Sequence, residues 1–437
     1  MLVDKYAQLM TWLQSSNKTF ISEKLWIVDD SSTGKSIYTV QSLKTNEHLV
    51  TIPREFMLNF ITILLHIEKI SNKTFDIPNE YRIANIPSPS PEDSDYNLIY
   101  QQFKGDELMD LSSYQLISMF LVIESHKKNS FWKPFIEVLA LLSDFAYAPL
   151  IWLVENTNEI FFRKLPPPTQ AHALAQLERF NLDYSVIINL LSTKYINIEV
   201  ERLISKREFL RMWMCCNSRC LYMELPSFLN KSKEDNFTMV PYVDFLNHSS
   251  EDGCTVKINS FGFQVTSGLN YPENSQLYFK YGAHSNEFLL CEYGFMFERG
   301  MNSWNYIDIN EQVIALMEPH HVEFLKDQGY YNDYTVSLSD VSFRVQVALA
   351  VIQETPEGLS SKRITNFING LTQGTSFEAK SKQMLKEILS GIVEECQQVF
   401  NTNLQQFSND EKYSRIITRL YEDRFDIAKT HLDLLEG

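Results

Sequence analysis

The sequence predicts an α+β protein, with short strands near the N-terminus and helices through the middle and the C-terminal third. Three observations carry this. Residues 25–28, 37–40 and 48–52 are short apolar runs separated by the turn-prone segments 29–34 and 44–47. Helical periodicity takes over in 111–152, where LSSYQLISMFLVIES places apolar residues on one face behind a cap at Ser112 or Ser113. Beyond residue 305, the stretches 341–352, 378–400 and 412–435 repeat apolar positions at 3.6-residue spacing beneath charged outer faces. A chain of 437 residues is too long for one ordinary core, so two or three subdomains are expected.

The remaining elements follow in order. Leu2, Val3, Tyr6, Leu9, Met10 and Leu13 share one helical face over residues 2–13, which suggests a short lid or packing helix. Residues 60–80 are apolar and then polar. The proline- and acid-rich PSPSPEDSD at 87–95 is expected to be a mobile surface loop. Pro166, Pro167 and Pro168 make a rigid loop, with helices expected over about 170–192 and 196–216. The most membrane-like run, 138–154, is broken by Ser143, Asp144 and Pro149 and falls short of a span of about 18 residues.

Composition narrows the class. Hydrophobic content of 44% with 22% charged residues is that of a soluble globular protein. A formal net charge of −16 argues against nucleic acid as the main partner and suits a basic protein. The six cysteines (Cys215, Cys216, Cys220, Cys254, Cys291, Cys396) show no paired spacing, so they read as reduced intracellular thiols and not as zinc ligands or a disulfide framework. The N-terminus opens on an amphipathic pattern containing Asp4 and Lys5, unlike a signal peptide.

Two dense clusters concentrate the chemistry. VPYVDFLNHSS (240–250) sets Asp244, Asn247 and His248 among apolar neighbours, and YFKYGAHSNEFLLCEYGF (278–295) places a glycine after each of Tyr281 and Tyr293. Buried polar groups need partners or cost on the order of 1–3 kcal/mol each. The clusters are therefore either a ligand site or a self-satisfied polar knot, and spacing alone favours the knot.

The two motifs together closely resemble the C-terminal signature of the SET domain, in the branch typified by the Rubisco large-subunit lysine methyltransferase. That branch has an Asp-x-x-Asn-His block, then Tyr-Gly-x-x-x-Asn-x-x-Leu-Leu-x-x-Tyr-Gly-Phe. Here these are Asp244, Asn247 and His248, then Tyr281, Gly282, Asn286, Leu289, Leu290, Tyr293, Gly294 and Phe295. SFWKPFIEVL at 130–139 resembles a further segment of the branch. Residues 25–52 resemble its N-terminal glycine-x-glycine motif, with Gly34 as the first glycine and Ser36 in place of the second.

The resemblance implies a small-sheet, β-rich SET fold over residues 21–300, preceded by an N-terminal helix within 1–20. A helical insertion at about 100–205 splits the fold, and an all-helical substrate-binding domain follows over 301–437. It implies transfer of a methyl group from S-adenosylmethionine to a protein lysine, without a metal. Tyr281 would orient the reacting centre, and Tyr293 would wall the lysine channel. Gly34, Arg219, Asp244, Asn247, His248 and Tyr281 would hold the donor, with Arg219 on its carboxylate, a task that suits a planar guanidinium fork. The expected partner is a basic protein of the translation machinery, such as a ribosomal protein or an elongation factor. Neither nucleic acid nor a membrane is expected as a direct partner, and the protein is expected to be a monomer in the cytoplasm or also the nucleus. Two rivals stand beside this reading. A histidine methyltransferase of the same branch is disfavoured by Tyr293, and a non-catalytic SET binding module is disfavoured by the presence of Tyr281 and Arg219.

Overall fold

The computed structural model describes residues 4–30, 34–71, 73–83, 86–195, 199–259, 261–402 and 411–436. Leu2, Val3, the turn-prone residues 31–33 and residues 196–198 lie outside them; the helix expected over 196–216 starts only at Lys206, because residues 200–202 form a 3-10 turn and Ser205 caps the helix. In chain order the first elements are α1 (Lys5–Leu13), β1 (Phe20–Ile21), β2 (Leu25–Asp30), β3 (Gly34–Thr39), β4 (His48–Ile52) and α2 (Phe60–Ser71). A helical stretch follows: α3 (Ser94–Gln102), α4 (Gly105–Met109), α5 (Ser113–His126), α6 (Lys133–Ile136), α7 (Pro149–Val154), α8 (Glu159–Phe162), α9 (Pro167–Ser192) and α10 (Lys206–Arg219). Strands return with β5 (Cys220–Tyr222), β6 (Phe237–Met239), β7 (Asn247–His248), β8 (Thr255–Asn259), β9 (Gly262–Thr266) and β10 (Gln276–Phe279). The chain ends in α11 (Asn286–Tyr293), β11 (Tyr306–Asp308), α12 (Asn310–Ile314), α13 (Pro319–Asp327), β12 (Thr335–Ser337), α14 (Phe343–Val351), α15 (Lys362–Ile368), α16 (Thr375–Phe400) and α17 (Glu411–Glu436).

These elements pack as two compact units. The first comprises Met1–Ala146 with Ala175–Tyr281, and the second Tyr147–Leu174 with Gly282–Gly437. The break at Tyr281 places 282–297 in the second unit.

In the first unit, two four-stranded sheets run in the orders β1-β4-β9-β8 and β2-β3-β10-β7. The β2–β3 hairpin has the register Leu25↔Thr39 to Asp30↔Gly34. β10 lies antiparallel to β3, and β7 joins β10 in parallel through Tyr278↔Asn247 and Phe279↔His248. Much of the apolar core comes from β4, α2, α5 and the 131–136 segment, with Leu49, Ile52, Ile63, Leu64, Phe120, Trp132 and Phe135 fully buried. The Trp12 ring of α1 meets Phe56, Phe131 and Trp132 edge-on at 4.6, 5.2 and 5.7 Å, which makes α1 a packing helix.

Three departures from the sequence expectations have physical reasons. α2 buries every residue from Phe60 to Ile67 and exposes Lys69 near its end; the polar Thr62 and His66 among the buried positions blur its apolar pattern. Its start is fixed by Asn59 and Thr62, whose side chains each accept from the other's backbone N–H, at 3.1 and 2.8 Å. The expected loop at 87–95 runs directly into α3. Asp93 is buried there, and its carboxylate accepts from the backbone N–H groups of Lys128 and Asn129 at 2.8 and 3.0 Å. Pro167 and Pro168 open α9 instead of forming a loop, because proline in a first helical turn forfeits no hydrogen bond. The cap of α5 is Ser112, in a reciprocal box with Gln115. No helix among the described residues is long and apolar enough to cross a membrane.

The second unit packs α14, α15, α16 and α17 around Val345, Leu349, Ile364, Leu389, Ile392, Ile417 and Leu420, as the C-terminal periodicity predicts. Asn286 at the start of α11 is its polar hub. The side chain donates to Asp423 at 2.7 Å, accepts from the Phe297 N–H at 3.1 Å, and is almost wholly buried. One residue on, the buried Arg424 guanidinium donates to Glu287 at 3.1 Å. Burial pushes the Asp423 carboxyl up to about 6, against the pull of Asn286 and Arg419. A carboxyl raised in the folded state favours folding while protonated and loses that contribution as pH climbs from its unfolded value through the folded one. Between about pH 4 and pH 6, wild-type stability should thus fall by roughly 2–3 kcal/mol through Asp423, while Asp423→Asn flattens that slope. Urea unfolding at several pH values checks this, and parallel slopes in the two proteins would refute it.

Candidate functional site

The sheet β2-β3-β10-β7 and the end of α10 bring most of the motif residues together in the first unit. α10 is capped by Ser205 and Glu208 and ends at Arg219, where the chain turns into β5. A short 3-10 turn over Val243–Phe245 carries Asp244, and β7 follows with Asn247 and His248. The turn is entered through Tyr242, whose φ of +73° is unfavourable for any residue with a side chain. Complete burial of its ring and a 6.3 Å contact with Phe245 hold it there.

Arg219 and Asp244 form a buried ion pair. Arg219 Nη1 donates to the Asp244 carbonyl oxygen at 2.9 Å and to its Oδ2 at 3.3 Å, and the Asp244 side chain is completely inaccessible. Burial pushes the Asp244 carboxyl above its usual range, while Arg219 and Lys35 pull it down. Two buried polar atoms are left over. Arg219 Nε and Asp244 Oδ1 have no hydrogen-bond partner among the described residues. The guanidinium, part of whose side chain stays exposed, suits the carboxylate of an amino-acid group.

His248 and Tyr281 form the next layer. The Tyr281 N–H donates to His248 Nδ1 at 3.2 Å, so the neutral imidazole carries its proton on Nε2. The two rings stack at 5.0 Å and 18°. The Tyr281 hydroxyl donates to the Leu246 carbonyl at 2.8 Å, which aims it back at the 243–248 turn. Asn247 is positioned by its ladder with Tyr278. Tyr293 ends α11 in the second unit, where Gly294 closes the helix at φ +79° and the Tyr293 ring meets Phe295 at 6.1 Å.

Gly34 starts β3 with φ +73°, a conformation that costs glycine little, and a Cβ there would meet nothing within 4 Å. Ser36 is buried opposite Val28, and strand alternation turns its side chain to the face opposite Lys35.

Sequence reasoning missed Tyr6, Asp29 and Lys35. The Tyr6 hydroxyl of α1 donates to Asp29 Oδ2, Lys5 Nζ stands 3.2 Å from the same carboxylate, and the Tyr6 ring meets Phe245 edge-on at 6.1 Å. Burial pushes Asp29 up, but the hydrogen bonds from Tyr6 and Lys5 outweigh it and hold the carboxyl below its usual range. Lys35 faces Asp29 across the hairpin. The alternation Leu25-Ile27-Asp29 against Lys35-Ile37-Thr39 carried that signal; Tyr6 had none beyond its helical face. Among the described residues, no group of three or more His, Cys, Asp or Glu side chains could hold a metal ion.

Residues 305–434 match the family described as the ribosomal lysine N-methyltransferase 2 C-terminal domain. Ribosomal lysine N-methyltransferase 2 of Saccharomyces cerevisiae is 29% identical, over 98% of each chain. Ribosomal lysine N-methyltransferase set11 of Schizosaccharomyces pombe is 28% identical, over 66% of this chain and 72% of its own. Among solved structures, the Rubisco large-subunit methyltransferase bound to S-adenosylmethionine superposes over all of this chain and 92% of its own, with a TM-score of 0.61 at 14% identity. The SET domain of the same enzyme bound to lysine and S-adenosylhomocysteine gives 0.60 at 13% identity, over all of this chain and 91% of its own. The α+β SET fold with a helical C-terminal region, expected from the motifs, is borne out. The chain falls in the class of SET-domain protein-lysine N-methyltransferases. Within that class its full-length similarity is to the ribosomal lysine methyltransferases.

Removing one member of the ion pair should leave the other buried and unpaired, at a cost of about 3–5 kcal/mol. Arg219→Ala carries a further signature. Without Arg219, burial drives the Asp244 carboxyl higher still, and a raised carboxyl destabilises the fold only once ionised. The deficit against wild type should therefore be largest at pH 7 and shrink towards pH 5. A deficit equal at both pH values in urea unfolding would contradict the buried pair.

Proposed function

We propose that this protein transfers the methyl group of S-adenosylmethionine to the side-chain nitrogen of a lysine in a ribosomal protein. The observation that carries the substrate is the likeness, over 98% of both chains, to the yeast enzyme named for ribosomal lysine methylation. The acidic net charge of −16 complements the basic surface expected of such a substrate.

Bound S-adenosylmethionine supplies an electrophilic methyl on a sulfonium centre. The chain's own residues do the rest. Arg219 offers its Nε–Nη2 edge to the donor's carboxylate, since Nη1 is engaged by Asp244. Asp244, its side chain completely buried, braces the turn beneath the donor and holds Arg219 in place. Asn247 and His248 hold the donor mainly through backbone groups, which the parallel ladder to β10 keeps in place. Tyr281, braced by His248 and Leu246, orients the reacting centre. A lysine has a reference pKa of about 10.4 and must lose its proton before the neutral amine attacks in line, a loss that apolar surroundings favour by desolvating the ammonium. Alignment supplies much of the acceleration. For Tyr293 we rest contact with the lysine nitrogen on the sequence motif alone.

The direct test is incubation of the full chain and labelled donor with ribosomal proteins from cells lacking the enzyme, followed by hydrolysis and amino-acid analysis. Label in methyl-lysine of a ribosomal protein is the expected result. Label in methyl-histidine would support the rival chemistry, and donor binding without transfer to any protein would point to a binding module. Tyr281→Phe keeps the ring and its stacking but loses the hydroxyl that fixes it. Its kcat should fall roughly 10²-fold, with donor affinity within a factor of about three. Near-normal turnover would remove Tyr281 from the reacting centre.

A further inference from the structure

The residue between Gly34 and Ser36 has no assigned role, yet its surroundings are unusual for a lysine. The Lys35 side chain is only 8% exposed, and the one carboxylate within 4 Å of its Nζ among the described residues is Asp144, at 3.9 Å and half exposed. Asp29, its partner across the hairpin, is engaged by the Tyr6 hydroxyl and by Lys5. Strand alternation places Lys35 on the Asp29 face, with Ile37 and Thr39. The charges of Arg219, Asp29 and Asp144 all act on it. Burial, and then the nearby Arg219 charge, hold the Lys35 ammonium below its usual range. β3 packs against the Val243–Phe245 turn, so Lys35 and Arg219 both act on the one buried Asp244 carboxylate, and two cations over a single carboxylate leave an excess of positive charge that a bound anion would offset.

We propose that Lys35 is a second cation for the donor's carboxylate, closing with Arg219 a two-sided clamp on the methionine end of S-adenosylmethionine. This rests on the donor-binding reading above and deepens it. The Arg219 Nε–Nη2 edge takes the carboxylate side-on, and the Lys35 ammonium approaches from β3. α1 serves the clamp indirectly: Tyr6 and Lys5 engage Asp29, so its carboxylate acts on Lys35 only from a distance and forms no direct ion pair with it. Lys35 is thus a positioning and affinity residue and takes no part in the chemistry.

The test compares two ligands by calorimetry on the full chain, S-adenosylmethionine and its decarboxylated form, which lacks only the carboxylate. Lys35→Met should weaken S-adenosylmethionine binding about 10- to 100-fold, the range for one charge-assisted hydrogen bond, and leave the decarboxylated ligand within about twofold. Lys35→Arg should restore most of the loss. Should Lys35→Met fail to fold, Lys35→Gln reads the same ratio. Equal losses for both ligands would overturn the proposal by making Lys35 a packing residue, and no loss for either would place it outside the site. If wild-type protein binds neither ligand, the donor-binding reading itself fails and the clamp falls with it. Wild-type binding with an unchanged ligand ratio in the variant sinks the clamp alone.

Discussion

The buried ion pair between Arg219 and Asp244 is the constraint on which the rest of the site depends. Moving two charges out of water is expensive, and a pair of this kind is held only where geometry and extra hydrogen bonds compensate. Here the guanidinium also binds the Asp244 carbonyl, so one side chain fixes both the carboxylate and the backbone of the turn that carries it. That turn leads at once into Asn247 and His248, and through His248 and Leu246 it sets the ring and hydroxyl of Tyr281. The strained backbone at Tyr242 sits at the entrance to the same turn. A conformation of that cost persists where its surroundings over-determine it, and a fully buried ring supplies that restraint. Asp244 is wholly buried while part of the Arg219 side chain stays exposed, so the element that stiffens the turn also presents a guanidinium to a ligand.

The sequence made some levels of this architecture legible and hid others, for identifiable reasons. The strands at 25–52 and the long helices beyond 340 carried strong periodicity, and their observed bounds differ by a few residues at most. α2 was hard to read as a helix because the polar Thr62 and His66 lie among its buried residues Phe60–Ile67, which blurs the contrast between faces. Pro167 and Pro168 looked like a break because proline's usual meaning inverts in a first helical turn. Asp93 looked like part of a solvated acidic loop, but its role is to cap two backbone N–H groups 35 and 36 residues further on, which no local pattern announces.

The candidate site divides in the same way. Asp244, Asn247, His248 and Tyr281 stood out because a long motif carries them, and the structure brings them together with Arg219. What escaped were the residues whose meaning depends on pairing across elements. Lys35 becomes informative only when Asp29 is seen opposite it and already engaged by Tyr6. Asn286 shows the converse. It belongs to the second motif, yet its side chain is spent on Asp423 and the Phe297 backbone, an architectural task inside the second unit. A motif thus mixes residues that face the ligand with residues that hold the fold, and only geometry separates them.

A crystal structure of the full chain with S-adenosylhomocysteine would locate the donor against Arg219, Lys35 and Tyr281 directly. The ligand's carboxylate should lie within hydrogen-bonding distance of the Arg219 guanidinium and Lys35 Nζ, with the Tyr281 hydroxyl beside the sulfur. A ligand bound with its carboxylate away from Arg219, in solvent or against other residues, would contradict that placement.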